Sequence, residues 1–325
     1  IPVDGKSSMS ANIDSLKIRR LNLLGYDYQG IAAAGDLTSD YFDGKVICND
    51  PNLNFLFQGL FTLVNDKSKS VNRIWKFYAN IGHADLHALK LDKRPVSRLR
   101  LRTAANFTTS ENRDVNGKIS IDGVTLENSS GVNNIGNVDI TADLKDNISR
   151  MKFKSAFLDG SFAGSASPLV FLDDLMSVTV DRDLPVLGNG PQKVFSGNRY
   201  EVNLDFSDSR DLLSFLIPGL YIADKSSVRL RLDAKGLATA RVKSPRIAYK
   251  DKFIKDMDAS FSNSEGSLSG NIFGNLVNIG PKMSIDEARL SLYADDDKFG
   301  LGFNYGESVE DGNDGEILTL GTLGR

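Results

Sequence analysis

Long hydrophobic runs are absent from this chain of 325 residues. None reaches the roughly 18 apolar residues that a membrane-spanning helix needs. Cysteine occurs once, at Cys48, so an internal disulfide is excluded and oxidation is not what stabilises the fold. Histidine occurs twice, at His83 and His87, and tryptophan once, at Trp75. No excess of basic charge exists either: the formal net charge is −3, which argues against nucleic acid as a partner, because phosphate binding needs a net basic surface. The opening Ile1-Pro2-Val3-Asp4 carries neither an initiator Met nor a leader pattern, and it reads as a processed chain or a piece of a longer one.

What is abundant is alternation. Arg98-Leu99-Arg100-Leu101-Arg102 places apolar and charged residues at strict period two. Val228-Arg229-Leu230-Arg231-Leu232-Asp233 and Val202-Asn203-Leu204-Asp205-Phe206 repeat it far along the chain. Successive side chains of a strand point to opposite faces, so each segment has one oily and one solvated side. The stripe of Arg98, Arg100 and Arg102 is therefore expected to be the solvated face of a strand.

Further strand-like stretches are Gly30–Leu37, Phe42–Asn49, Leu53–Val64, Trp75–Ile81, Leu99–Phe107, Gly117–Leu126, Val138–Leu144 and Met151–Phe162. Later come Val228–Ala234, Ala259–Phe261, Leu268–Val277, Leu290–Ala294, Phe299–Tyr305 and Ile317–Leu320. Clusters of Asn, Asp, Gly and Ser separate them, as at Asn112–Asn116, Asn128–Gly136 and Asp311–Gly315, and these favour turns. The pattern predicts an all-β protein, a long, mostly antiparallel, curved sheet in the form of a trough. Two short helices interrupt it. Ser167-Pro168 opens one near 168–178, with Leu169, Leu172, Leu175 and Met176 at helical spacing. Ser209–Leu216 forms the other, near 209–217, with Leu212, Leu213 and Leu216 apolar and Pro218-Gly219 as its stop. Length alone would allow two domains, but the uniform pattern reads as one elongated domain over 1–325.

Catalytic chemistry is hard to find. His83 and His87 would share a strand face, whereas Asp85 would not, so a metal site lacks its third ligand. Asp173-Asp174 are neighbours on a helix, do not face each other, and read as one solvated and one rim carboxylate. Asp295-Asp296-Asp297 and Asp311–Glu316 look like calcium loops without the full ligand spacing, and hairpin turns account for both. Cys48 has no histidine nearby to activate it. No active site, cofactor site or metal site is expected.

Several phrases resemble the TamB family, the translocation and assembly module proteins of the AsmA-like superfamily, in the version found in Bacteroidota. They are Gly25-Tyr26-Asp27-Tyr28-Gln29-Gly30-Ile31, Gly35-Asp36-Leu37, Phe42-Asp43-Gly44, Asn49-Asp50-Pro51-Asn52-Leu53 and Phe57-Gln58-Gly59. Ala84-Asp85-Leu86-His87-Ala88-Leu89, Phe215-Leu216-Ile217-Pro218-Gly219-Leu220 and Ser244-Pro245-Arg246-Ile247-Ala248-Tyr249 continue the order. The resemblance implies a periplasmic protein, anchored in the inner membrane by an N-terminal helix and reaching toward the outer membrane. It also implies a β-trough with a hydrophobic interior that moves phospholipid, assists outer-membrane protein assembly with a barrel partner, or both. The expected piece is a central one, without the anchor and without the C-terminal region that would meet the barrel.

On that expectation the trough is lined by Leu99, Leu101, Ile119, Ile121, Val138, Ile140, Met151, Phe153, Val228, Leu230 and Leu232. Its partners would be phospholipid acyl chains. The competing expectation is a periplasmic or extracellular binding module, adhesin-like or glycan-binding, whose strands bury the same residues in a closed core. A transmembrane barrel fits less well, because the residues opposite the apolar ones are charged.

Overall fold

The computed structural model describes residues 10–62, 73–110, 115–187, 194–264, 266–280, 283–306 and 315–322. The fold class is as expected: all-β, with nineteen strands among the described residues, paired antiparallel, and short helices between them. The chain divides into two compact units, Ile1–Asp143 and Leu144–Arg325.

The first unit is an antiparallel meander of β1 (Ser10–Leu23), β2 (Tyr26–Thr38), β3 (Tyr41–Asp50), β4 (Leu53–Thr62), β5 (Arg73–Asp85), β6 (Ser97–Thr109), β7 (Val115–Asn128) and β8 (Gly131–Lys145). Each strand pairs with the next. The turns explain themselves locally. Leu24 and Gly25 both take positive φ between β1 and β2, the geometry of a two-residue hairpin. Thr38 Oγ1 accepts from the N–H groups of Asp40 and Tyr41, which folds the chain into β3. Asp50 accepts from the Asn52 N–H at 2.9 Å, the Gln29 N–H at 2.9 Å and the Tyr26 hydroxyl at 2.5 Å.

A row of glycines crosses this unit. Gly35 pairs with Gly44, and Gly44 with Gly59. Gly35 and Gly59 hold φ of +139° and +142°, a region closed to other residues. Such a row thins the sheet and lets it bend.

The second unit runs β9 (Ile148–Ser155), β10 (Leu158–Gly164), α1 (Pro168–Val178), α2 (Val180–Asp183), β11 (Tyr200–Phe206), α3 (Arg210–Leu216), β12 (Leu220–Ile222), β13 (Ser227–Leu232), β14 (Ala238–Tyr249), β15 (Lys252–Ser262), β16 (Leu268–Gly280), β17 (Met283–Asp295), β18 (Lys298–Tyr305) and β19 (Gly315–Thr322). Consecutive strands pair antiparallel, except that β11 pairs with β13, and β14 pairs first with β13 and then with β12. Asp296 and Asp297, both at positive φ, close the β17–β18 hairpin, so this aspartate run is a turn. Residues Asp311–Asp314 of the other expected calcium-like loop lie outside the described residues; Gly315 opens β19.

Four expectations change. Met151–Phe162 is not one strand: the Ser155 hydroxyl accepts from the N–H groups of Phe157 and Leu158 and folds the chain into two. Asn128–Gly136 is not one long turn, because β8 already starts at Gly131. His83 and His87 do not share a strand face: β5 ends at Asp85, whose carboxylate accepts from the Ala88 N–H and turns the chain before His87. Finally, the apolar residues at helical spacing do not all face inward. In α1, Leu172 is 64% exposed and Met176 is exposed, while Phe171, Leu175 and Val178 pack against the sheet. In α3, Leu213 and Phe215 are buried and Leu216 is exposed.

Candidate functional site

The registers sort side chains into two faces, because residues directly opposite across a strand pair point the same way. In the first unit, Val46 pairs with Phe57, Phe57 with Ala79, Ala79 with Thr103 and Thr103 with Ile121. Ile121 pairs in turn with Val138, and Ile119 with Ile140. The expected residues Leu99, Leu101, Ile119, Ile121, Val138 and Ile140 thus share one face, with Leu101 opposite Ile81 and Leu99 opposite Ala84 and Leu126. Six rings extend this face toward one end of the strands. Phe42, Phe57, Phe61, Trp75, Phe77 and Phe107 form a continuous strip with centroids 5.3–6.4 Å apart. Each such ring pair contributes roughly 0.5–1.5 kcal/mol beyond its area.

The second unit repeats the arrangement. Met151 pairs with Phe162, Phe162 with Val202, Val202 with Leu230 and Leu230 with Ala240. Phe153 and Val228 lie one rung along, through Gly160 and Leu204. The face continues through Phe261, Leu292 and Leu301. Alternating with these residues on the other face are Lys152, Asp205, Arg229, Arg241 and Asp258.

Exposure separates lining from core. Nine of the eleven expected lining residues are only half-buried; Val138 and Leu232 are buried. Leu232 is 0% exposed because it sits beneath the helices with Val178, Tyr200 and Ala238, and Phe162, Phe171, Leu175 and Phe195 pack around them. Leu232 is therefore a core residue.

The helices close one end of the second unit's apolar face. Phe171 packs on Tyr200 at the start of β11, while the carbonyl of Asp183 accepts from the Asp297 N–H at the β17–β18 turn. Those two places are five strand spacings apart, on the order of 24 Å along a flat sheet. Residues 171–183 rise only about 18 Å as helix. A cavity of about 190 Å³ remains under the helices, lined by Leu175, Val180, Leu230, Ala240, Phe261 and Leu268 among others. Its lining suits the end of an aliphatic chain.

Polar anchors hold this cap in place. Asn263, buried at the β15–β16 turn, donates at 2.8 Å to the carbonyls of Val178 and Gly236 and accepts from the Ala238 N–H at 2.8 Å. Asp174 is neither the solvated nor the rim carboxylate expected of the Asp173-Asp174 pair: it is 3% exposed and accepts from Ser196 Oγ at 2.9 Å, Asn198 Nδ2 at 2.8 Å and the Tyr200 hydroxyl at 2.6 Å. Burial acts to raise its pKa, but the hydrogen bonds from Tyr200, Asn198 and Ser196 outweigh it, and the net shift is downward. Burial and the bond to Asp174 push the Tyr200 hydroxyl up.

On the opposite face, charges meet across strands. Arg98 bridges Asp85 at 3.2 Å and Glu127 at 2.8 Å, so the expected solvated arginine stripe is partly paired. Lys118 meets Asp139 at 3.0 Å, and Arg241 meets Asp258 at 2.6 Å. Exposed pairs of this kind contribute about 0–1 kcal/mol each. Among the described residues, no three His, Cys, Asp or Glu side chains are grouped to hold a metal ion, and no helix is long and apolar enough to cross a membrane. Cys48 is buried in β3; burial and then the nearby Asp50 carboxylate push its thiol up.

Comparisons with protein-family models, with curated proteins and with solved structures returned no match.

Proposed function

We propose that this chain is a non-enzymatic carrier of phospholipid acyl chains, acting in the periplasm in transport between inner and outer membranes, in outer-membrane protein assembly, or in both. The observation that carries the proposal is the half-buried state of the apolar faces. Leu99, Leu101, Ile119, Ile121 and Ile140 in one unit and Met151, Phe153, Val228 and Leu230 in the other keep partial access to solvent. Such faces gain from an apolar guest. Each methylene transferred from water contributes about 0.8 kcal/mol, so a sixteen-carbon tail gains on the order of 10 kcal/mol. A charged headgroup is costly to desolvate and stays at the open margin. A lining of Leu, Ile, Val and Phe offers no fixed polar partner, so neighbouring positions are nearly equal in energy and a tail can slide.

The order of TamB-like phrases supports the compartment and the inner-membrane anchoring of the whole protein. It also supports a barrel partner, met through a region outside these residues. A second reading is favoured by the covered patch at Leu232, Val178 and Tyr200: a binding module, adhesin-like, whose apolar faces are completed as closed cores. Mass spectrometry of the purified chain separates the two. Near-stoichiometric co-purifying phospholipid, displaced by added fatty acid, is the expected result. A chain that carries no lipid and takes up none from vesicles would overturn the carrier reading.

A further inference from the structure

The opposite, polar face of the second unit carries a cleft that the lipid reading does not use. Its first part has a volume of about 520 Å³ and is lined by Glu201, Asn203, Arg229, Arg231, Arg241 and Asn271, with serines, a threonine and the strand positions Leu230, Ala240 and Phe261 between them. The second part, about 750 Å³, shares Arg241, Ser260 and Asn271 with the first and adds Asp258, Phe273, Arg289, Ser291 and Asn304. Sites for small organic ligands usually occupy about 300–1,000 Å³, so the two parts together suit an elongated ligand rather than a single ion.

The registers show how the cleft is built. Asn203 pairs with Arg229, Arg229 with Arg241, Arg241 with Ser260, Ser260 with Asn271 and Asn271 with Ser291. The result is one ladder of hydrogen-bonding side chains running across six strands, with a rung about every 4.8 Å. Arg229 and Arg241 face each other directly, an arrangement of like charges that destabilises a sheet unless something offsets it. Asp205 and Asp258 do so on one side of the ladder. Arg231 lies on the other side, where Asp233, two residues along, is the carboxylate it interacts with electrostatically. The carboxylate directly opposite it, Glu201, is turned to Asn203 Nδ2 at 3.1 Å. Arg289 at the far end stacks over Phe273 with its guanidinium carbon 5.4 Å from the ring centre.

We infer that this ladder binds an extended acidic oligosaccharide. Asn and Ser supply both donors and acceptors, as sugar hydroxyls require. Arg231 offers a planar fork for a carboxylate on one sugar unit, whereas the forks of Arg229 and Arg241 stay turned to Asp205 and Asp258. The rung spacing is close to the rise of an extended pyranose chain, so successive sugars meet successive strands. A single-stranded nucleic acid fits less well, since it needs a denser run of cations and a series of stacking rings. The site lies on the face opposite the apolar lining, and the inference does not depend on the lipid reading.

Titration calorimetry of the whole chain with hexagalacturonate tests it. Binding is expected to weaken with salt, and neither cellohexaose nor a hexathymidylate should bind comparably. The variants Arg231→Gln and Asn271→Ala, both at exposed positions, are each expected to weaken hexagalacturonate about tenfold. Their thermal transitions should match the parent, which shows that folding is intact. No binding of hexagalacturonate, parental affinity in both variants, or equal binding of cellohexaose or the oligonucleotide would overturn the inference.

Discussion

Gly59 of β4 stands directly opposite Phe77 of β5, and the backbones approach so closely that no side chain fits between them. A Cβ built at Gly59 would lie 2.5 Å from Phe77 Cα and 2.8 Å from its Cβ, and closer still to the Lys76 carbonyl. Position 59 also needs φ of +142°. The Gly59→Ala variant is therefore expected to lose about 2–4 kcal/mol in urea unfolding, combining backbone strain with displacement of the neighbouring strand. Gly131 makes the matched control: its φ is also positive at +127°, but a Cβ there meets nothing within 4 Å. Gly131→Ala carries the backbone strain alone, about 1–3 kcal/mol, and should cost less than Gly59→Ala.

Acid should loosen the cap of the second unit. The folded-state pKa of Asp174 is depressed, so its stabilising contribution is complete above the ordinary carboxylate range and is lost as pH falls through the folded value. Parent protein should show a falling transition temperature below about pH 4. Asp174→Asn should start about 1–3 kcal/mol less stable at neutral pH and show a flatter acid limb. Thermal melts at a series of pH values measure both.

Charges on the apolar face distinguish a lining from a core. Leu101, Ile121 and Ile140 are half-buried, so replacing all three by Asp is expected to leave the circular dichroism spectrum β-rich while removing most co-purifying lipid. If the triple variant retains parental lipid, the first unit does not hold it. In contrast, Leu232→Asp introduces a charge under α1 at a site with no solvent access, and unfolding of the cap is expected instead.

Cys48 should react slowly with thiol reagents at neutral pH. Its side chain is buried and its thiol is held in the neutral form by burial and by Asp50. Full labelling is expected only in denaturant, and a time course with and without urea reads this directly.

How much of this was legible depended on how local its cause is. Strands such as β6 and β13 could be read from the chain because one face is solvated and strict alternation results. The two-faced sheet and most of its apolar lining follow from that pattern alone. By contrast, β14 is interrupted by Pro245, which ordinarily argues against a strand. It is tolerated because β14 changes partner there, from β13 to β12, and no ladder bond is required of it. The inner face of α1 is not legible in the sequence, because its apolar residues extend round much of the helix and periodicity does not choose a side. The burial of Asp174 was invisible for a different reason. Its donors Ser196, Asn198 and Tyr200 lie 22–26 residues away, and only the fold brings them to it. The arginine cleft depends likewise on registers between six strands.

The single carboxamide of Asn263 joins the end of α1, the β13–β14 turn and the β15–β16 turn. Each of those three segments would otherwise be free to fray separately. Because they share one buried junction, opening any of them strands polar groups belonging to the other two. The cap and both hairpin tips consequently behave as one cooperative block in local unfolding, with a common opening free energy and common amide-exchange protection. Access to the apolar patch beneath the cap is therefore all-or-none.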